Sequence, residues 1–185
     1  RSKENARDES STESVMLEFI EKMKMADEDL LVLVQATSPL IQASDIEASL
    51  EMLFEEKADS LLTCTRSKRF FWSDDAKPIN YNPEFRPRRQ DFPGYFEENG
   101  ALYASKVVDV KKYKSRIGGK VVIYEMSDYA SVELDDDADW VVAEQLMKKY
   151  ILPPIARREV KLFLSDVDGT MTDSGMYYGK DGQEY

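Results

Sequence analysis

Apolar positions along the chain switch between a helical and an extended spacing, and the switches outline a fold. From about Thr12 to Met25, Met16, Phe19, Ile20 and Met23 recur at three- and four-residue intervals, which predicts a helix with all four on one face. "LLVLV" (Leu30 to Val34) is continuous, apolar and rich in β-branched residues, the pattern of a parallel strand buried on both faces. Pro39 then closes a loop, and Ser44 with Glu47 forms a capping box for a helix that turns Ile46, Leu50, Leu53 and Phe54 inward. "DSLLTCTR" reads as a second strand. Strand, helix and strand at this spacing make a βαβ unit, which predicts an α/β sheet with ligands at the carboxyl ends of its strands.

Residues 67–93 break the pattern. They are rich in Pro, Arg and aromatic residues with weak periodicity, and read as an excursion from the sheet. An Asn-Gly turn precedes a short strand, "ALYASK"; "KVVIYEMS" is another strand, and "DADWVVAEQLMKKY" is a helix after a run of carboxylates. The proline pair in "ILPPIARRE" marks a linker. Beyond it "VKLFLSDVDGTMTD" starts a new apolar strand, so the expected division is a domain over 1–150, a linker over 151–159 and the beginning of a second domain over 160–185.

Composition narrows the chemistry. The chain holds 185 residues, enough to bury a core. Net charge is −11, which argues against general nucleic-acid binding and requires local cationic pockets for any anionic ligand. There is no histidine, so carboxylates, Arg, Lys, Tyr and hydroxyls must carry any chemistry. No apolar run reaches the roughly 20 residues a membrane span needs. Cys64 is the only cysteine, which fits a reducing compartment and a cytoplasmic location.

Four stretches invite a chemical reading. "RPRR" gathers Arg86, Arg88 and Arg89 in an acidic chain. It is either a solvated loop or an anion clamp, since a guanidinium grips carboxylate or phosphate with two parallel hydrogen bonds. "QATSPL" follows the first strand and offers Gln35, Thr37 and Ser38 as hydrogen-bonding groups, or is simply a polar turn. In "SVELDDDADW", Glu133 and Asp135 stand two apart, on one side of an extended segment. They suit Mg²⁺, whose hard oxygen ligands phosphates can share, or they extend an acidic helix start that the helix dipole favours. In "FLSDVDGTMTD", Asp166 and Asp168 close an apolar strand just before Gly-Thr.

"RSKENARDESST", "LVQATSPL", "RPRRQD", "YFEENGALY" and "YEMSDYASVELDDDADW" resemble, in order and spacing, the N-acylneuraminate cytidylyltransferases, the CMP-sialic acid synthetases. The tail from Val160 resembles the start of a haloacid-dehalogenase-type phosphatase domain. The resemblance implies a nucleotide-diphospho-sugar-transferase-like, Rossmann-like mixed sheet flanked by helices, with a truncated second α/β domain. It implies transfer of CMP from CTP to the anomeric hydroxyl of a sialic acid, with release of pyrophosphate. Arg1, Ser10 and Thr12 would then face the cytidine; Gln35, Arg89, Asn99 and Tyr103 would face the sugar. Glu133 and Asp135 would hold Mg²⁺, while Asp166 and Asp168 would be the phosphatase nucleophile and general acid/base, also beside Mg²⁺. A homodimer or homotetramer is implied, with the excursion at a subunit interface. A nuclear location is implied for an animal protein.

Two departures shape the expectation. The family's metal pair is usually Asp-x-Asp, and here Glu133 takes the first place. The family's amino-terminal strand and phosphate loop do not occur before Arg1, so this chain alone is expected to be inactive and its longer parent to be the enzyme. The competing expectations are a cytidylyltransferase for another keto acid sugar and a non-catalytic assembly module of the same fold.

Overall fold

A computed structural model describes residues 2, 3, 5–7 and 9–152, all in the first of the two units into which the chain divides, 1–152. Arg1, Asp166, Asp168 and the expected second domain lie outside the described residues.

Four strands form one mixed sheet. They are β1 (Leu30–Val34), β2 (Ser60–Ser67), β3 (Tyr95–Lys106) and β4 (Val121–Glu125), in the order β1-β3-β2-β4. Strand β3 runs antiparallel to both β1 and β2, and β2 pairs in parallel with β4. Helices α1 (Thr12–Met23), α2 (Ala43–Glu55), α3 (Val107–Tyr113) and α4 (Asp137–Leu146) flank it, and a π-helical turn over Met147–Ile151 extends the last. This is the expected α/β arrangement. No helix among the described residues is long and apolar enough to cross a membrane.

Strand β1 departs from the expectation. It does run in the same direction as β2, as a βαβ unit demands, but β3 lies between them and bonds β1 antiparallel. Nor is β1 buried on both faces. Val32 and Val34 are 37% and 45% exposed, because they share a face with α2, and α2 packs over β2 and β4 instead. A continuous apolar run reports burial, but not which strand will arrive beside it.

The helices correct three details. α1 buries Met16 and Ile20 against Leu31, Val107 and Val110, whereas Phe19 and Met23 flank that narrow seam and stay exposed. α2 begins at Ala43 instead of following a Ser44–Glu47 box: buried Leu40 anchors the preceding loop, and the Asp45 carboxylate accepts the backbone N–H of Gln42 at 2.9 Å. In the same helix Leu53 is buried, but Phe54 is mostly exposed. The helix α3 has no signal in the apolar pattern, its "VVDVKKY" being too short for one.

The Asn-Gly pair is not a turn between strands. It lies inside β3, where the pairing with β2 jumps from Leu62↔Tyr103 to Cys64↔Glu98. Five steps along β3 therefore face two along β2, and the surplus buckles out as a bulge around Asn99 and Gly100. Gly100 takes φ +63°, a left-handed conformation that glycine adopts without a side-chain clash.

Candidate active site

The bulge organises the site. Asn99 is 1% exposed, and its amide is fully engaged inside the protein. Its Oδ1 accepts from the Thr63 hydroxyl at 2.8 Å, and its Nδ2 donates to the Ala130 carbonyl at 3.0 Å. The Asn99 carbonyl in turn accepts from the buried Ser38 hydroxyl at 2.9 Å. The Asn99 side chain thus ties β3 to β2 and to the segment that carries Glu133, and its backbone carbonyl ties β3 to the "QATSPL" loop. In this structure the Asn99 side chain faces the interior, unlike the sugar-facing group that the family resemblance implies.

That staple brings Gln35 and Glu133 together. Gln35 follows β1 and donates its backbone N–H to the Ala101 carbonyl at 3.3 Å, and Leu134 donates to the Thr37 carbonyl at 2.8 Å. Both side chains end over Gly100: the point where a Cβ would stand is 2.6 Å from Glu133 Oε2 and 3.0 Å from Gln35 Oε1. Glycine is needed here for space as well as for φ. We expect Gly100→Ala to cost about 1–2 kcal/mol from the left-handed backbone alone and to displace the Glu133 carboxylate. Thermal unfolding should show the loss. An unchanged melting temperature would mean that the bulge is absent in solution.

The electrostatics around Glu133 are one-sided. Partial burial pushes its carboxyl up from the usual range, and Asp135, Glu98 and Glu97 add repulsion in that order. Glu133 and Asp135 also stand ahead of α4, whose acidic start is made by other residues: the Asp139 carboxylate accepts the backbone N–H groups of Asp135 and Asp136 at 3.1 and 2.9 Å. The capping chemistry foreseen for the acidic run therefore belongs to residues 136–139. The donor set at Glu133 and Asp135, hard carboxylates with unbalanced negative charge beside a carboxamide, fits a magnesium ion that substrate oxygens would complete. Among the described residues no group of three or more Asp, Glu, Cys or His side chains forms a metal cage by itself.

Tyr103 stands on the sheet face opposite Leu102, 5% exposed, and donates its phenolic proton to Glu98 Oε2 at 2.9 Å. Ser10 and Thr12 lie at the start of α1, where the Ser11 hydroxyl caps the helix by accepting the Ser14 N–H at 3.2 Å.

Arg89 sits elsewhere. It is exposed on a cleft of about 770 Å³ lined also by Lys68, Arg69, Phe70, Arg86 and Arg88, and none of Gln35, Asn99, Tyr103 or Glu133 lines that cleft. The cations differ in commitment. Arg86 stacks 4.5 Å from the Phe70 ring centre, and Arg88 pairs with Asp91 at 2.6 Å. Arg89 has no hydrogen bond or ion pair among the described residues. The structure thus joins Gln35 with Glu133 and Tyr103 with Glu98, and leaves Arg89 apart from both.

Residues 5–151 match the family model for cytidylyltransferases. The chain belongs to the cytidylyltransferase family. Over its whole length it is 33% identical to N-acylneuraminate cytidylyltransferase A of Danio rerio and 32% identical to N-acylneuraminate cytidylyltransferase of Oncorhynchus mykiss. It spans 44% of the length of each of these relatives. Among solved structures, a 4-diphosphocytidyl-2C-methyl-D-erythritol synthase from Anaerococcus prevotii is 17% identical, with a TM-score of 0.49 over 75% of this chain and 67% of that one.

Within this cytidylyltransferase chain, two groups escaped the sequence reading. Glu98 lies inside "YFEENGALY", but an acidic residue before Asn-Gly looks like turn chemistry until the bulge is seen. Arg116 and Glu13 are 103 positions apart, and nothing in either segment announces their 2.7 Å ion pair.

Proposed function

We propose that the protein carrying this chain transfers CMP from CTP to the anomeric hydroxyl of N-acetylneuraminate or a closely related nine-carbon acid sugar. The observation that carries this reading is the meeting of Gln35 and Glu133 over Gly100, at the carboxyl end of β1, in a chain of the cytidylyltransferase family. The similarity to N-acylneuraminate cytidylyltransferases supports the choice of sugar.

In this reading Ser10 and Thr12, at the start of α1, take the cytidine, and Gln35 and Tyr103 hydrogen-bond the sugar. The anomeric hydroxyl attacks the α-phosphorus of CTP, its proton passes to solvent, and the bond to pyrophosphate breaks. Glu133 and Asp135 would hold Mg²⁺, which supplies positive charge to the phosphate oxygens when bound. Arg89 grips the sugar carboxylate. Its separation from Gln35 is bridged either by movement of the exposed excursion or by a second subunit of a homodimer.

The test is pyrophosphate release from CTP in the presence of N-acetylneuraminate, with the protein at its natural length. Absence of release would remove the reading. Arg89→Lys refines it: lysine keeps the charge and loses the planar fork. The acid sugar's KM should rise by the equivalent of about 1.5–3 kcal/mol, the worth of hydrogen bonds to a charged group. The KM for CTP and the melting temperature should stay in place. An unchanged sugar KM would return Arg89 to a solvated loop.

A further inference from the structure

Tyr103 is held from two sides. Its hydroxyl donates to Glu98 Oε2 at 2.9 Å, and the Arg116 guanidinium lies 5.0 Å from its ring centre. Arg116 is itself fixed, because its Nε donates to Glu13 Oε1 at 2.7 Å, with both side chains only about a quarter exposed. Glu13 belongs to the first turn of α1, next to Thr12, whereas Glu98 opens the bulge of β3. Three residues from three separate parts of the chain therefore hold one phenol, Glu98 and Arg116 directly and Glu13 through Arg116.

The arrangement limits what that phenol can do. A tyrosine hydroxyl has one proton to give and two lone pairs to receive with. Here the proton goes to a carboxylate, the stronger kind of acceptor. The arginine over the ring and the carboxylate at its tip leave little freedom for the hydroxyl to turn and donate elsewhere.

We propose that Glu98 and Arg116 are positioning residues that commit the Tyr103 proton to Glu98, so that the phenol meets the substrate as a hydrogen-bond acceptor only. The group it reads is then a donor, a hydroxyl or amide N–H of the sugar, and not the sugar's carboxylate. This rests on the cytidylyltransferase reading given above, in which Tyr103 faces the sugar. Through Glu13 the same phenol is tied to α1, where that reading places the nucleotide.

Steady-state kinetics of the protein at its natural length, with CTP and N-acetylneuraminate, test the substrate half. Glu98→Ala should raise the sugar's KM about tenfold and leave the KM for CTP within about twofold. Glu98→Gln should recover most of the loss, since its amide oxygen accepts the same proton. Once Tyr103→Phe has removed the hydroxyl, adding Glu98→Ala should cost nothing more. Multiplying effects, or an equal loss for CTP, would overturn the proposal.

The clamp itself has a readout that needs no turnover. Burial, then the Glu98 hydrogen bond, push the Tyr103 phenol up to about 12, with Glu133 raising it further and Arg116 pulling it down. In protein with ring-labelled tyrosine, Glu98→Ala should move this titration to lower pH. An unmoved titration would overturn the clamp. If wild-type protein shows the clamp but releases no pyrophosphate, the functional reading falls, and with it the ligand named here.

Discussion

Asn99→Ala destabilises the domain by about 2–4 kcal/mol, seen as a lower urea midpoint, and this loss appears before any question of substrate. The Ala130 carbonyl loses its donor in a site that is 1% exposed, and an orphaned buried acceptor costs about 1–3 kcal/mol. The vacated space adds a cavity cost. Thr63 suffers less, because its hydroxyl can turn to the Leu102 carbonyl, 3.3 Å away. Asn99→Asp sharpens the case through pH. A carboxylate there would be buried against the Ala130 carbonyl, so its folded-state pKa would rise above the unfolded value. The folded state would then bind the extra proton, and stability would fall as pH rises through the range between the two values. Urea unfolding near pH 5 and pH 7 should show the variant relatively more stable at the lower pH. An Asn99 that served only the sugar would leave both midpoints alone and alter KM.

Asp135→Asn produces the opposite profile. It keeps the side chain's shape and removes the negative charge that would balance Mg²⁺. Asp135 is exposed, its backbone N–H donates to Asp139, and its carboxylate makes no hydrogen bond or ion pair among the described residues, so the fold should be untouched. Turnover by the protein at its natural length should fall at least about a hundredfold, the scale on which preorganised electrostatic groups act. Glu133→Asp, by contrast, keeps the charge and shortens the arm by one methylene, and should retain about half the activity or more if Mg²⁺ shifts to meet it. Glu133→Ala should be as damaging as Asp135→Asn. Helix-dipole stabilisation, worth about 0.3–1 kcal/mol within the first turn, does not reach Glu133 four positions ahead of α4. Mg²⁺-dependent turnover of these variants decides the matter. Activity that survives Asp135→Asn would remove the metal assignment.

The two residues show where local sequence succeeds and where it stops. Asn99 and Gly100 are conspicuous in the sequence, but Asn-Gly has the same chemistry in a hairpin turn and in a bulge. What separates them is whether β2 continues past the pair on the other side, and β2 lies more than thirty positions earlier in the chain. Glu133 is the same kind of case. Its spacing from Asp135 is visible, yet its aim toward Gly100 and Gln35 depends on Asn99 reaching Ala130.

Sequence by itself determined the elements and their inner faces wherever the period was long enough: α1 around Met16 and Ile20, α2 around Leu53, the apolar strands, and the α/β class. It also determined the available chemistry, since a chain without histidine and with charge −11 must work through carboxylates and a few cations. Tertiary structure alone decided the strand order, because an apolar run such as Leu30 to Val34 is equally content beside a parallel or an antiparallel partner. It also decided that Arg89 stands apart from Gln35, and that Glu98 and Arg116 hold one phenol, with Glu13 fixing Arg116 from behind. The physical reason is the range of the forces. Periodicity and propensity act within a few residues, whereas these contacts form only after the sheet has brought distant segments side by side.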